Sequence, residues 1–255
     1  MDVLFHRECV DVLGEVWYTK IDNLELTGEN NMSKIEEFEK KVISHGMTDE
    51  DFVEYEKLLK RVRGNFSKRQ HCYTTAIQFS PNHCEQAIRL IQYGLENFED
   101  GWFSTYTSYL FMGRIYEKVK DYPKAYEAYL SANEALGADH PEYTQELSIH
   151  LLWMKLHIDS FSYSSESEDY YTCYKKTDDF SKAFINNEFK SAVANIVISL
   201  HYGNSDEAKQ SLNIALKICK PDYIGKLFNL LKRHNYRESL NATKESIDFI
   251  KSLKI

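Results

Sequence analysis

Apolar residues recur at helical spacing along most of this chain. From Asp2 to about Ile21 the apolar positions are Leu4, Val10, Leu13, Val16 and Trp17, which predicts a first helix. Residues 26–31 (LTGENN) read as a loop. Ser33 and Glu36 form an S-x-x-E capping box, which opens a helix to about Ser44. His45-Gly46 ends it. Thr48, followed by Asp49, Glu50 and Asp51, caps the next helix, which runs to about Arg63 with the stripe Phe52, Tyr55, Leu58, Leu59 and Val62.

Beyond residue 64 the rhythm becomes one of paired helices. Residues 66–79 predict a first helix. Ser80-Pro81 predicts a second, with Pro at its first helical position and Ala87, Ile91 and Gly94 along one side. A second unit spans 106–137, turned by Asp121-Tyr122-Pro123. Pro141 restarts the chain into a long helix over 142–158. The Ser-rich, acidic run 160–169 has no periodicity and predicts a loop or linker, followed by a short helix at 169–176. Helices are expected at 178–200, at 206–219 (Ala208, Leu212, Ala215), at 222–233 after Pro221, and at 241–253. The fold class expected is all-α.

Within the second unit, Tyr109, Met112, Gly113, Tyr116, Ala125, Tyr129, Ala132 and Pro141 form a pattern that resembles a tetratricopeptide repeat. That resemblance implies an α-α superhelix of stacked antiparallel helix pairs. Each pair is unable to bury its apolar face alone. It also implies that Gly113 and Ala125 face each other across a hairpin. The small residues Ala87, Ala125 and Ala208 are 38 and 83 positions apart, so a degenerate pair is expected between 142 and 180. The division expected is a helical module over 1–63 packed on a repeat stack over 64–255.

In such stacks the first helices line the concave face. Counted from the matched positions, Thr107, Leu110, Arg114, Glu117 and Lys118 would point there. Arg114 and Lys118, one turn apart, suit a carboxylate or acidic peptide; the competing reading is a solvated face. The same positions near 190–220 are Lys190, Val193, Val197, Leu200 and His201, a helix expected to be covered on both sides. The 142–158 helix carries Glu146, His150, Trp153 and His157 on one face. That stripe reads either as the floor of a groove or as a polar seam between helices.

Composition narrows the chemistry. The 255 residues carry 31 basic and 39 acidic side chains, net −8. Residues 1–63 hold 9 basic and 15 acidic (−6), 64–208 hold 12 and 20 (−8), and 209–255 hold 10 and 4 (+6). An acidic body argues against general nucleic-acid binding and favours a cationic partner. The basic cluster Lys226, Lys232, Arg233, His234 and Arg237 suits phosphate, or pairing with the acidic N-terminal helices. No run of about 18 apolar residues predicts a membrane span. The N-terminus lacks a basic start and reads as part of the fold. Five scattered cysteines suit reduced thiols in the cytoplasm.

Signals for catalysis are weak. His71-Cys72 and His83-Cys84 invite a zinc reading, but the predicted hairpin separates them by on the order of 12 Å. There is no phosphate loop, no H-E-x-x-H and no nucleophile elbow. The expectation is a non-enzymatic protein- or peptide-binding chain with no cofactor and no metal. The alternatives are an immunity protein or inhibitor that neutralises a basic toxin or enzyme, and a peptide-responsive regulator.

Overall fold

A computed structural model describes residues 33–80, 82–176, 188–218 and 244–253. The described residues form helices and no strands. In chain order they are α1 (Lys34–Ile43), α2 (Asp49–Leu59), α3 (Asn65–Phe79), α4 (Cys84–Asn97), α5 (Trp102–Lys118), α6 (Tyr122–Leu136), α7 (Pro141–Ile158), α8 (Ser165–Lys175), α9 (Glu188–His201), α10 (Ser205–Ile218) and α11 (Lys244–Ser252). The protein is all-α. The helices expected at 2–21 and 222–233, and the basic cluster from Lys226 to Arg237, lie outside the described residues.

Helix starts follow local hydrogen bonds. The Glu36 N–H donates to Ser33 Oγ at 3.4 Å while the Ser33 N–H donates to Glu36 Oε2 at 2.8 Å. Thr48 and Asp51 repeat the same reciprocal box at α2. Asp121 accepts from the Lys124 N–H and starts α6, with Pro123 in the first turn. Two boundaries differ from the sequence reading. Pro81, placed at the head of the second helix, lies outside the described residues, and α4 starts only at Cys84. The supposed linker 160–169 is already helical from Ser165. Ser164 accepts the Ser167 N–H, and Glu166 and Glu168 favour the positive end of the new helix.

Packing links neighbours in sequence. Helices α3 and α4, α5 and α6, α7 and α8, and α9 and α10 pack as pairs, and each pair leans on the next through α4–α5, α6–α7 and α8–α9. Short connections make each pair an antiparallel hairpin. The pair expected between 142 and 180 is therefore α7 with α8. The arrangement is compatible with a helical repeat.

The turns carry a repeat signal that residue identity hides. Lys120, Ser160 and Gly203 all have left-handed φ, at 63°, 51° and 74°. Each is followed by an N–H that reaches five residues back: Asp121 to Tyr116 O, Phe161 to Leu156 O and Asn204 to Ser199 O. This is a Schellman-type helix end, usually made by glycine. The three turns are 40 and 43 residues apart, which reproduces the offset of 83 between Ala125 and Ala208.

Two apolar cores flank the α5–α6 hairpin. One gathers Ile35, Tyr55, Leu59, Phe79 and Leu90 from α1 to α4 with Met112 and Ile115 of α5. The other gathers Tyr106 and Leu110 of α5 with α7, α9 and Ile250 of α11. The described part of the 1–63 module thus shares a core with α3 and α4. Gly113 lies against the Tyr129 ring; a Cβ there would meet three Tyr129 ring carbons within 2.9 Å.

A polar network ties α1 to α2 and α3. Glu39 Oε1 accepts from Tyr55 Oη at 2.9 Å and Thr75 Oγ1 at 2.9 Å, and lies 3.0 Å from His71 Nδ1. Burial pulls the His71 imidazole down, but the hydrogen bond and charge of Glu39, with Glu36 behind it, outweigh this and hold its pKa above the ordinary value. A raised folded-state pKa stabilises the fold below the unfolded value of about 6.5, and that contribution is lost as pH rises through the folded value. The His71 contribution to the urea midpoint should therefore fall between about pH 6 and 8. His71→Gln should flatten this limb; an unchanged slope in the variant would assign it to another group.

Candidate functional site

The positions singled out in α5 part company. Thr107 donates its hydroxyl to Phe103 O and Ser104 O on its own helix. Leu110 is buried in the core and offers no surface. Arg114 and Lys118 are exposed. Lys118 Nζ donates to Ser80 O, the carbonyl that follows α3, at 2.9 Å. Lysine is favourable at that negative helix end. Arg114 instead acts electrostatically on Tyr73 of α3 and His150 of α7.

Glu117 turns inward. Its Oε1 accepts from Lys190 Nζ at 3.0 Å and its Oε2 from Tyr129 Oη at 2.9 Å. Both ionic side chains are largely enclosed, Lys190 at 7% and Glu117 at 10% exposure. Lys190 belongs to α9 and Glu117 to α5, and α7 packs against α9 and α6. Residues of α7 meet both ends of the ion pair: His150 Nδ1 is 4.0 Å from Glu117 Oε2, and Lys190 Nζ is 5.7 Å from the Trp153 ring centre. A carboxylate on the first hairpin of this group therefore joins an ammonium two hairpins on, with α7 beneath.

The α7 stripe is mostly enclosed. Trp153 is fully buried among His157, Phe161 and Phe189, so it is not the open floor of a groove. His157 stacks on Tyr122 at 4.0 Å. Burial pushes the His150 imidazole well below its ordinary pKa, and Lys190 and Arg114 push the same way, so it is neutral near pH 7. Among the buried nitrogens without a hydrogen-bond partner are His150 Nδ1 and Trp153 Nε1. The side chain of Glu146 lies outside the described residues. In α9, Lys190, Val193 and Val197 are buried as expected, whereas Leu200 and His201 reach the surface.

The candidate zinc residues are engaged separately. His71 faces Glu39, Cys84 Sγ donates to Ser80 O, and Cys72 is buried where a Cβ on Gly94 would touch it. Burial pushes the Cys72 thiol up to about 12, which makes it inert as a thiolate. Among the described residues no group of three or more His, Cys, Asp and Glu is placed to hold a metal ion. Among the same residues no helix is long and apolar enough to cross a membrane.

Sequence counting put Lys190 in register with Thr107 but gave no sign that it meets Glu117. The 73-residue separation carries no periodic signal, and Tyr129 Oη was not expected at the site. The chain matches no family model, no curated protein and no solved structure.

Proposed function

We propose that this is a non-enzymatic helical-repeat protein, tetratricopeptide-like in its stacking, that binds a protein or peptide along the inner face of α5, α7 and α9. The observation that carries this reading is the recurrence of one left-handed helix end at Lys120, Ser160 and Gly203. Hairpins closed in the same way present equivalent faces of their first helices, and such aligned faces are the binding surfaces of helical-repeat proteins. Exposed Arg114 supplies a charged contact at that face.

The test is purification of the tagged full chain from its native host, beside an Arg114→Glu variant. A specific protein should co-purify with the native sequence and be recovered about tenfold less with the variant, the effect of losing one charge-assisted contact worth about 1.4 kcal/mol. Melting curves of the two proteins, recorded in parallel, separate loss of the partner from loss of the fold. Repeated recovery of no specific protein would overturn the reading.

A further inference from the structure

We infer that the Glu117–Lys190 ion pair is an internal latch over a carboxylate-binding site, whose remaining polar atoms are Trp153 Nε1, a donor, and His150 Nδ1, a donor in the Nδ1–H tautomer of the neutral ring. The inference rests on the binding reading above and names the ligand chemistry of its inner face.

The argument begins with what Glu117 leaves undone. Buried polar atoms are nearly always hydrogen-bonded, so each exception needs a cause. Glu117 meets the needs of Lys190 and Tyr129. It stays 4.0 Å from His150 Nδ1, too far for a hydrogen bond. Trp153 Nε1, on a fully buried side chain three residues along the same helix, also lacks an acceptor. Residues three apart share one helix face, so both nitrogens belong to the side of α7 that underlies the latch.

The missing group is defined by these donors. An indole nitrogen only donates, and so does an ammonium or guanidinium. Among the described side chains that act on His150, Lys190 and Arg114 are cationic, and the single acid beside it is Glu117. An anionic, multi-oxygen acceptor fits such a set, and a carboxylate brings two oxygens with about four acceptor sites. Glu117 is itself that chemistry supplied from within the chain. An acidic side chain of a partner, entering the inner face, would take Lys190 from Glu117 and reach the two α7 nitrogens that Glu117 does not. The closed form reduces the apparent affinity to the intrinsic affinity multiplied by the fraction of time the latch is open.

The chain has three Trp residues, so three indole N–H resonances report on it, and Trp153→Phe assigns the one of interest. The full-length protein is titrated with acetyl-tetraglutamate amide, and with acetyl-tetraglutamine amide as the uncharged control. The acidic peptide should move the Trp153 indole resonance, and the control should leave it in place. Glu117→Gln keeps an acceptor for Tyr129 but removes the competing charge. It should bind the acidic peptide about tenfold tighter, and the peptide should raise its melting temperature more than that of the native sequence. An indole resonance unmoved by the acidic peptide in both proteins overturns the site. Equal movement by both peptides overturns the carboxylate assignment, and equal affinity of the two proteins overturns the latch. A captured partner that leaves the Trp153 resonance still would overturn this inference while the binding reading stands.

Discussion

Lys190→Met should lower the unfolding free energy by about 3–5 kcal/mol, because it strands the Glu117 carboxylate in an enclosed place. The methionine fills most of the lysine's volume, so the loss is electrostatic more than steric. Glu117→Leu should cost a similar amount, since it strands the ammonium and also takes the acceptor from Tyr129 Oη. The double variant should recover most of the loss, because apolar replacement of both members of a buried pair is often close to neutral. Urea denaturation of the four proteins measures this as a coupling energy. A change within about 0.5 kcal/mol for Lys190→Met, typical of surface positions, would mean that the pair is open to water in solution. The bridge would then be no part of the fold's stability. A large coupling would establish that α5 and α9 are held together across α7.

Gly113→Leu should destabilise the α5–α6 hairpin by about 3 kcal/mol or more, at or above the usual range for overpacking. The reason is the Tyr129 ring. A Cβ alone meets three of its carbons within 2.9 Å, and the ring is fully buried. Nor can it swing aside freely, because its hydroxyl is held by Glu117 and its face lies 5.1 Å from the His150 ring centre. Gly113→Ala separates the effects. Alanine favours a helix by about 1 kcal/mol over glycine, so a net loss would show the clash to exceed that gain. Gly94→Ala is the control: its Cβ would meet Cys72 Cβ at 3.1 Å, a contact that a small shift relieves. Melting temperatures should rank Gly94→Ala highest, then Gly113→Ala, then Gly113→Leu. A Gly113→Leu protein as stable as the native sequence would show that the hairpin does not pack as described.

The two histidine environments have opposite signs in pH. His71 gains a carboxylate partner and stabilises the fold in its charged form; His150 is buried neutral beside two cations and penalises protonation. Both are His residues within helices, and nothing in the sequence tells them apart. What differs is the neighbour: Glu39 comes from α1, and Lys190 comes from α9.

The same division runs through the whole molecule. The capping boxes at Ser33 and Thr48, the start of α6 at Asp121 and the 83-residue offset were all legible in the residues. Each depends on side chains three or four positions from the backbone they bond, or on a repeat of small residues. The segment 160–169 escaped this reading because its serines and acids suit a loop and a helix start equally well. The left-handed turns at Lys120 and Ser160 escaped it because neither residue is a glycine. By itself, then, the sequence determined that this chain is all-α, where several of its described helices begin, and that its pairs recur at about 40 residues. Only the tertiary structure decided which polar positions of the first helices meet each other and which meet water. That outcome turns on how one hairpin leans on the next, and a bond such as Lys190–Glu117, 73 residues apart, exists only once three hairpins are stacked.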